Sequence, residues 1–224
     1  MKDSREKRLR VELHVHTNGS QDSLLKPKKI LDRCDQLGID RIAITDHDVI
    51  AVALEMKAMA PERVIVGEEI ETNQGEILGY FLKEWVPGGL DPLETIERLR
   101  DQDAVISIPH PFDTFRTPHF TSQQLQAIMP YVDALEVFNA RCIINASNEV
   151  AEDNAASHGL LATVGSDAHS LVELGKANLL MGNFIDRDTF LTALRDAQKI
   201  TRKSSPLVHF SSRFAKFYKK MKSE

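Results

Sequence analysis

Histidine and carboxylate residues occur in short clusters at several separated points of the sequence. His14 and His16 are two residues apart in VELHVH, so an extended strand would present both imidazoles on one face. Similar clusters at QDS, ITDHD, VGEEIET, PHPFD and GSDAHS add the candidate residues Asp22, Asp46, His47, Glu68, Glu69, Glu71, His110, Asp167 and His169. Imidazole nitrogen and carboxylate oxygen are ligands for divalent cations. Because no cysteine belongs to these clusters, they favour a catalytic over a structural metal site.

Most of these clusters lie at or just beyond the carboxyl end of an apolar, β-rich segment. Such segments alternate with stretches of helical periodicity, a pattern typical of a parallel α/β fold. The predicted strands are residues 11–15, 41–45, 63–70, 104–108, 134–138, 161–164 and 177–181. In a parallel barrel the carboxyl ends of the strands open on one face, so we predict that the clusters converge there.

Helical patterns fill most of the intervals between the strands. The predicted helices are residues 28–37, 49–59, 92–100, 122–127, 145–158 and 187–197. Pro27 and Gly38 suit the two ends of the first of them. Residues 74–82, QGEILGYFL, follow the third strand directly without a helix, so we predict a hairpin there. The number of strand and helix units predicts a β/α barrel over residues 1–198.

Composition restricts the class of protein. A chain of 224 residues with 42% hydrophobic residues suits a globular fold with a sizeable core and excludes wholesale disorder. The apolar runs are too short to span a membrane, and the charged start MKDSREKRLR does not read as a secretory signal, so we expect a cytoplasmic protein. Cys34 and Cys142 are too few for a disulfide framework and are expected to be reduced thiols.

The C-terminal segment differs in charge from the rest of the chain. Residues 199–224 hold 8 of the 28 lysines and arginines but 1 of the 33 acidic residues. The remainder is therefore acidic, which disfavours nucleic-acid binding over its whole surface. We predict that residues 199–224 form a basic, helical tail docked on the barrel. The alternative is an arm that reaches toward nucleic acid or lipid.

Four motifs occur in order over most of residues 9–182: HVH with a following Asp, TDHD, a Gly-x-Glu strand end followed by PHP, and SDAH. With them the chain resembles the polymerase and histidinol phosphatase family, the PHP domain. The resemblance implies a distorted seven-stranded (β/α)7 barrel with a metal cluster at its carboxyl face. It also implies two or three divalent ions, for which the donor types suit zinc, manganese or iron, and phosphoester hydrolysis.

The resemblance implies a role for each candidate ligand. The first ion would be held by His14, His16, Glu69 and Asp167. Glu69 would bridge to a second ion that His110 also binds, and the third would be held by Asp22, His47 and His169. We choose Glu69 over Glu68 because strand alternation sends Glu68 to the opposite face. Many relatives supply a further histidine near the hairpin; this chain has none, and Glu76 is the nearest candidate.

Other residues are candidates for positioning ligands or substrate, each with a plainer alternative. Asp46 and Glu136 could orient metal-bound imidazoles, or be an ordinary strand-end carboxylate and part of a helix entry. Asn139 could contact substrate or cap the following turn. Arg116 and Arg141 could clamp a phosphate through paired hydrogen bonds, or be solvated surface arginines.

The predicted activity is hydrolysis of a small phosphomonoester or a nucleotide by metal-activated water. His169 and Asp167 are candidates for proton transfer, although an atom that binds metal cannot also act as a free base. No GxSxG or P-loop motif offers a competing chemistry. Three alternatives stay open: a nuclease that trims short oligonucleotides, a metal-dependent C–N hydrolase, and a non-catalytic binding module stabilised by metal. The oligomeric state also stays open.

Overall fold

The computed structural model describes residues 8–223, and its nine strands form one sheet. The strands are β1 (Leu9–Glu12), β2 (Arg41–Ile44), β3 (Val64–Glu71), β4 (Glu76–Tyr80), β5 (Val105–Ile108), β6 (Ala134–Asn139), β7 (Leu161–Gly165), β8 (Ala177–Met181) and β9 (Gln198–Thr201). Each of the seven predicted strand segments overlaps one of these strands. The count of seven is wrong, because the predicted hairpin supplies β4 and the exposed segment QKIT supplies β9.

The strand order is β7-β6-β5-β4-β3-β2-β1-β8-β9. Strands β1 to β3 are parallel, as are β5 to β7, whereas β4 runs antiparallel to both β3 and β5. The expectation of a parallel sheet is also wrong for β8, which pairs antiparallel with β1. Beyond β1, Val15 bridges to Ala168 in parallel, which nearly closes the sheet into a barrel.

The described residues form seven α-helices, of which six lie between strands of the sheet and the seventh follows β9. They are α1 (Pro27–Leu37), α2 (Ala51–Met59), α3 (Pro92–Asp101), α4 (Ser122–Ile128), α5 (Asn145–His158), α6 (Arg187–Arg195) and α7 (Val208–Ser223), with a 3-10 turn at Met129–Tyr131. The six predicted helices are confirmed. Gly38 ends α1 in the left-handed conformation, with a φ of 66°, as its position predicted. None of the described helices is long and apolar enough to cross a membrane.

A buried carboxylate at the carboxyl end of β1 binds the segment that joins β7 to β8. Glu12 of β1 is fully buried and accepts hydrogen bonds from the backbone amides of Ser166 (3.2 Å) and Gly175 (2.9 Å). Burial raises the pKa of Glu12 to about 7. These contacts fix β1 against the segments that follow β7. The segments that carry His14 and Asp167 therefore run side by side at the same edge of the sheet.

Candidate metal centre

Glu69 lies at the centre of the converging histidines. Its Oε2 is 3.1 Å from His14 Nε2, 3.2 Å from His16 Nε2 and 3.4 Å from His47 Nδ1. Its other oxygen, Oε1, is 3.1 Å from His110 Nε2. One buried carboxylate therefore contacts imidazoles that come from the ends of three strands.

Two aspartates complete the cluster on the side of β1 and β7. Asp167 Oδ1 lies 3.3 Å from His16 Nε2. Asp22 Oδ2 lies 3.2 Å from His169 Nε2 and 3.6 Å from His47 Nε2. The structure thus brings together all eight residues to which the resemblance assigned metal ligation.

The antiparallel strand β4 explains how Glu76 reaches the same place. Glu71 at the end of β3 pairs with Glu76 at the start of β4, so Glu76 begins its strand at the carboxyl edge of β3. Its oxygens are 3.6 Å from His110 Nε2 and 3.8 Å from His47 Nδ1. Glu68 points away, as alternation predicted, and accepts a hydrogen bond from the Val86 amide at 3.1 Å.

The candidate donor atoms suit divalent cations because they lie close together and because several of them lack a hydrogen-bond partner among the described residues. Four buried atoms receive no hydrogen bond from the described residues: His16 Nε2, His47 Nδ1, Asp22 Oδ1 and Asp167 Oδ1. Orphaned buried polar atoms are costly unless a partner such as a cation binds them. The ligand atoms fall into four overlapping groups, each within 4.8 Å: His16, Asp22, His47 and His169; His14, His16 and Glu69; His14, His110 and Asp167; and His47, Glu69 and Glu76.

The negative charges in the cluster also favour the binding of a cation. Burial by itself would lower the pKa of His14, but Glu69, Glu136 and Asp167 together hold it well above its usual value. Burial and the adjacent Glu69 raise the pKa of Glu76. Without a cation, the negative charge of the carboxylates favours protonation of a neighbouring imidazole or of one of the carboxylates themselves. A bound divalent ion offsets the repulsion between the carboxylates directly.

Glu136 of β6 positions two of the candidate ligands, His14 and His110. His14 donates from Nδ1 to Glu136 Oε1 at 2.9 Å, which leaves Nε2 facing Glu69. The backbone amide of His110 donates to Glu136 Oε2, also at 2.9 Å. A Cβ on Gly165 would collide with Glu136 Oε1, so this glycine leaves the space that the carboxylate needs.

Asp46 acts on an imidazole through an intermediate residue. It accepts hydrogen bonds from the Thr17 amide (2.5 Å) and from Ser20 Oγ (3.0 Å), and Ser20 Oγ lies 3.2 Å from His16 Nδ1. The sequence prediction of a direct contact from Asp46 to an imidazole missed Ser20. The spacing of four residues between His16 and Ser20 was the available signal.

Arg116 and Arg141 both reach the cluster. Arg116 donates to Asp167 and is held from behind by Asp113, whose Oδ2 is 3.3 Å from its Nε. Arg141 Nη1 donates to His169 Nδ1 at 2.6 Å. Arg116 lines the cleft above the cluster and is a fifth exposed, whereas Arg141 is almost fully buried.

Three further residues, Glu173, Asp113 and Asn139, contact the arginines or the carboxylates of the cluster. Glu173, which the sequence prediction missed, lies 3.3 Å from Arg141 Nε and accepts from the His169 amide. Asp113, which holds Arg116, was missed as well, although it stands in the PHPFD motif. The Asn139 side chain is buried and donates to Glu136 and Asp167, so it positions carboxylates instead of facing the cleft.

A cleft of about 800 Å³ opens over the metal-ligand cluster. Asp22, His47, Glu76 and His169 form part of its floor, and residues of α7, including His209 and Lys216, form one wall. Arg116 and Phe115 come from the loop after β5. The ligand cluster is therefore open to a small molecule from one side.

Comparisons with known proteins show the family of this chain. The model of the PHP domain family matches residues 12–154, and that of the PHP-associated family matches residues 145–198. This chain belongs to the PHP family. An uncharacterized protein of Methanocaldococcus jannaschii is 38% identical over 173 residues, which cover 75% of this PHP protein and 69% of its relative.

Solved structures share the fold of this PHP protein. A two-domain protein of Bacteroides vulgatus that contains a predicted PHP-like metal-dependent phosphoesterase has a TM-score of 0.68 at 17% identity, over 88% of this chain and 66% of that one. A lesion-specific endonuclease of Pyrococcus furiosus has a TM-score of 0.64 at 15% identity, over 89% and 60% of the two chains. At such identities the likeness shows the fold alone.

The role of Glu136 in this PHP protein gives a first prediction. Glu136→Gln is expected to weaken metal affinity about 10- to 100-fold, because the amide cannot hold the Nδ1–H of His14 as a carboxylate does. Titration of the metal-free protein with Zn²⁺ or Mn²⁺ by calorimetry measures the change. Glu152→Gln, on the exposed side of α5, is the control. An affinity for Glu136→Gln equal to that of the control would contradict the role.

Proposed function

We propose that this PHP protein is a metal-dependent phosphoesterase that hydrolyses a small phosphomonoester or a nucleotide. The observation that carries the proposal is the placement of Arg116 at the cleft, beside a cluster of imidazoles and carboxylates that fits divalent ions. A guanidinium beside metal ligands suits the recognition of a phosphate group. The PHP family membership supports the same class of reaction.

The residues that would hold the ions are those named from the sequence, including Glu76 of the hairpin. The ions, which we propose to be two or three of zinc, manganese or iron, would supply an acidified water as nucleophile and neutralise charge on the phosphate. Glu69 contacts His14 on one side and His110 on the other, which supports a bridging role. The group of His16, Asp22, His47 and His169 supports a separate ion on the α7 side of the cleft.

The chain's own groups orient the substrate and hold the ligands in place. Arg116 would turn from Asp167 toward the incoming phosphate, because its guanidinium already lies at the cleft surface. Both nitrogens of His169 are engaged, one facing Asp22 and the other accepting from Arg141. Burial, together with the nearby His16 and Arg141, lowers the pKa of His169 to about 3, so it presents a neutral imidazole. We therefore assign His169 and Asp167 to metal binding before proton transfer.

The arginine assignment gives a second prediction. Arg116→Ala is expected to raise KM for a phosphomonoester about 10- to 100-fold, since a hydrogen bond to a charged group contributes about 1.5–3 kcal/mol. The metal content should stay at the wild-type level, because Arg116 is not a ligand. Steady-state kinetics with 4-nitrophenyl phosphate and elemental analysis measure the two quantities. Arg98→Ala on exposed α3 is the control, and an unchanged KM for Arg116→Ala would remove Arg116 from the site.

A nuclease is the second candidate function. The specific observation in its favour is that the basic helix α7 forms a wall of the cleft. A nuclease would cleave phosphodiester bonds with the same ligands and the same Arg116.

One set of assays tests the proposed function and its alternatives. Metal-loaded protein is incubated with phosphomonoesters, nucleotides, short oligonucleotides and amides, and the products are separated. Release of inorganic phosphate from monoesters supports the first candidate, and shortened oligonucleotides support the second. Amide hydrolysis without any phosphoester cleavage would indicate a C–N hydrolase. Metal-dependent folding without turnover on any compound would indicate a binding module.

A further inference from the structure

The C-terminal helix α7 is held against the mouth of the cleft through polar contacts. Ser212 Oγ accepts a hydrogen bond from Arg141 Nη2 at 2.8 Å, and His209 Nε2 lies 3.2 Å from the Arg141 carbonyl oxygen. Lys216 Nζ is 3.7 Å from Asp22 Oδ2. Ala215 is buried on the side that faces the barrel. The helix thus lines the cleft, although it lies beyond both family matches, which end at residues 154 and 198.

The opposite face of α7 is apolar and aromatic. Phe210, Phe214 and Phe217 are 66%, 60% and 62% exposed, and Met221 continues the row. Spacings of four, three and four residues place these side chains in one stripe along the helix. At 1.5 Å per residue, the stripe is about 16 Å long. Exposed apolar stripes of this kind mark an interaction surface.

The charge of α7 selects the chemistry of its partner. The helix carries five cationic residues and no acidic one, namely Arg213, Lys216, Lys219, Lys220 and Lys222. Lys219 faces the barrel and donates to the carbonyl oxygens of Asn18 and Ser20. Two copies of the chain packed stripe to stripe would bring the other cations, above all Arg213 and Lys220 beside the stripe, close to one another, which is unfavourable. An anionic partner with flat apolar groups satisfies both the charge and the aromatic rings.

The stripe is continuous with the cleft. Phe210 and Arg213 line the same cavity as His47 and Arg116, and Phe115 of the loop after β5, which is 65% exposed, also lines it. Arg116 suffices for a single scissile phosphate that metal ions already neutralise. Arg213 and Lys216 are additional cations, so they fit further phosphates of the same substrate. An anionic membrane surface would use the stripe but not the aromatic rings inside the cleft.

We propose that α7 binds single-stranded nucleic acid and guides it into the metal centre, with bases stacked on Phe210, Phe214 and Phe217 and phosphates along Arg213 and Lys216. Aromatic side chains alternating with cations are the usual surface for single strands, because every base has a face that can stack. The inference rests on the proposed phosphoesterase activity and, within it, favours the nuclease candidate, with a single-stranded oligonucleotide as substrate. It gives the predicted basic tail a role in substrate binding.

Binding to a labelled single strand tests this role directly. The probe is a phosphorothioate oligonucleotide of about ten nucleotides, whose linkages resist hydrolysis, and fluorescence anisotropy with metal-loaded full-length protein gives Kd. The double variant Phe214→Ala/Phe217→Ala is expected to raise Kd at least about tenfold, from the loss of two stacking rings. Arg213→Ala is expected to lower the slope of log Kd against log salt by about 0.7. The matched control is Ile185→Ala, which removes a side chain that is 80% exposed and lies away from the cleft.

Hydrolysis of 4-nitrophenyl phosphate separates this inference from the proposed function. The double variant should keep kcat/KM for this small ester within about twofold of wild type, because neither ring lines the cleft. Wild-type ester hydrolysis with equal oligonucleotide Kd for the double variant and Ile185→Ala would overturn the inference and leave the proposed function intact. Binding to phosphatidylglycerol vesicles that needs Phe214 and Phe217, without oligonucleotide binding, would overturn it as well. Loss of ester hydrolysis in the wild type would count against the proposed function alone.

Discussion

Glu69→Gln is expected to abolish metal binding at the centre of the cluster and to reduce phosphoester hydrolysis about 1,000-fold or more. Glu69 is the carboxylate that contacts His14, His16, His47 and His110, so no other residue can replace its charge at that point. The carboxamide keeps the shape of the side chain but loses the negative charge that cations require. A metal ion contributes several kcal/mol to stabilising the transition state, and each 1.36 kcal/mol is a factor of ten in rate. Elemental analysis and steady-state kinetics measure the two losses.

Glu68→Gln provides a matched control in the neighbouring residue. Glu68 is also buried in β3, but its carboxyl group faces Val86 on the opposite side of the strand. Burial raises the pKa of Glu68 to about 8, so the neutral amide resembles the form that prevails at pH 7. Metal content and kcat/KM of Glu68→Gln should therefore match wild type. Equal behaviour of the Glu68 and Glu69 variants would disprove the central role of Glu69.

Removal of metal is expected to lower the melting temperature by at least about 10 °C. The cluster buries Asp22, Glu69 and Asp167 among imidazoles, and several of their atoms lack hydrogen bonds from the described residues. An ion present at about 100 times its Kd adds about 2.7 kcal/mol of stability. For a chain of this size 1 kcal/mol corresponds to about 2–4 °C, and at least two ions are proposed. Calorimetric scans in EDTA and after addition of Zn²⁺ or Mn²⁺ measure the difference.

The stabilisation should depend on the ligands and not on ions in general. The Glu69→Gln protein is expected to show less than about half of the wild-type increase when metal is added, because one of the shared ligands is gone. Glu68→Gln should show the full increase. A wild-type melting temperature that is the same in EDTA and in metal would mean that no ion binds the folded protein at this site.

The convergence of the clusters at the candidate metal centre was predictable because it depends on local rules. His14 and His16 share a face since a strand repeats every two residues, and the same rule separates Glu69 from Glu68. The parallel strands β1 to β3 and β5 to β7 open at one edge, which is why His47, His110 and Asp167 meet the others there. Both rules act over a few residues or on whole strands, and both can be applied to the sequence alone.

Backbone strain at two ligands could not be predicted in this way. His110 and Asp167 have positive φ angles of 29° and 52°, in a region that favours glycine. Such conformations occur at functional sites when the surroundings determine them. Here the Glu136 carboxylate holds the His110 amide, and Arg116 contacts the Asp167 side chain. These contacts join residues that are 26 and 51 positions apart.

The residue types and their periodicity were enough to predict candidate donors and the edge of the sheet at which they meet, and the four ordered motifs carried the resemblance to the family. Glu76 was already a candidate from the sequence, and the tertiary structure brings its oxygens to 3.6 Å from His110 Nε2 and 3.8 Å from His47 Nδ1. Only the tertiary structure inserted Ser20 between Asp46 and His16 and set α7 along the cleft. The physical reason is range: alternation along a strand and a hairpin are set by neighbouring residues, whereas relayed hydrogen bonds and the position at which a helix docks depend on which distant surfaces pack together.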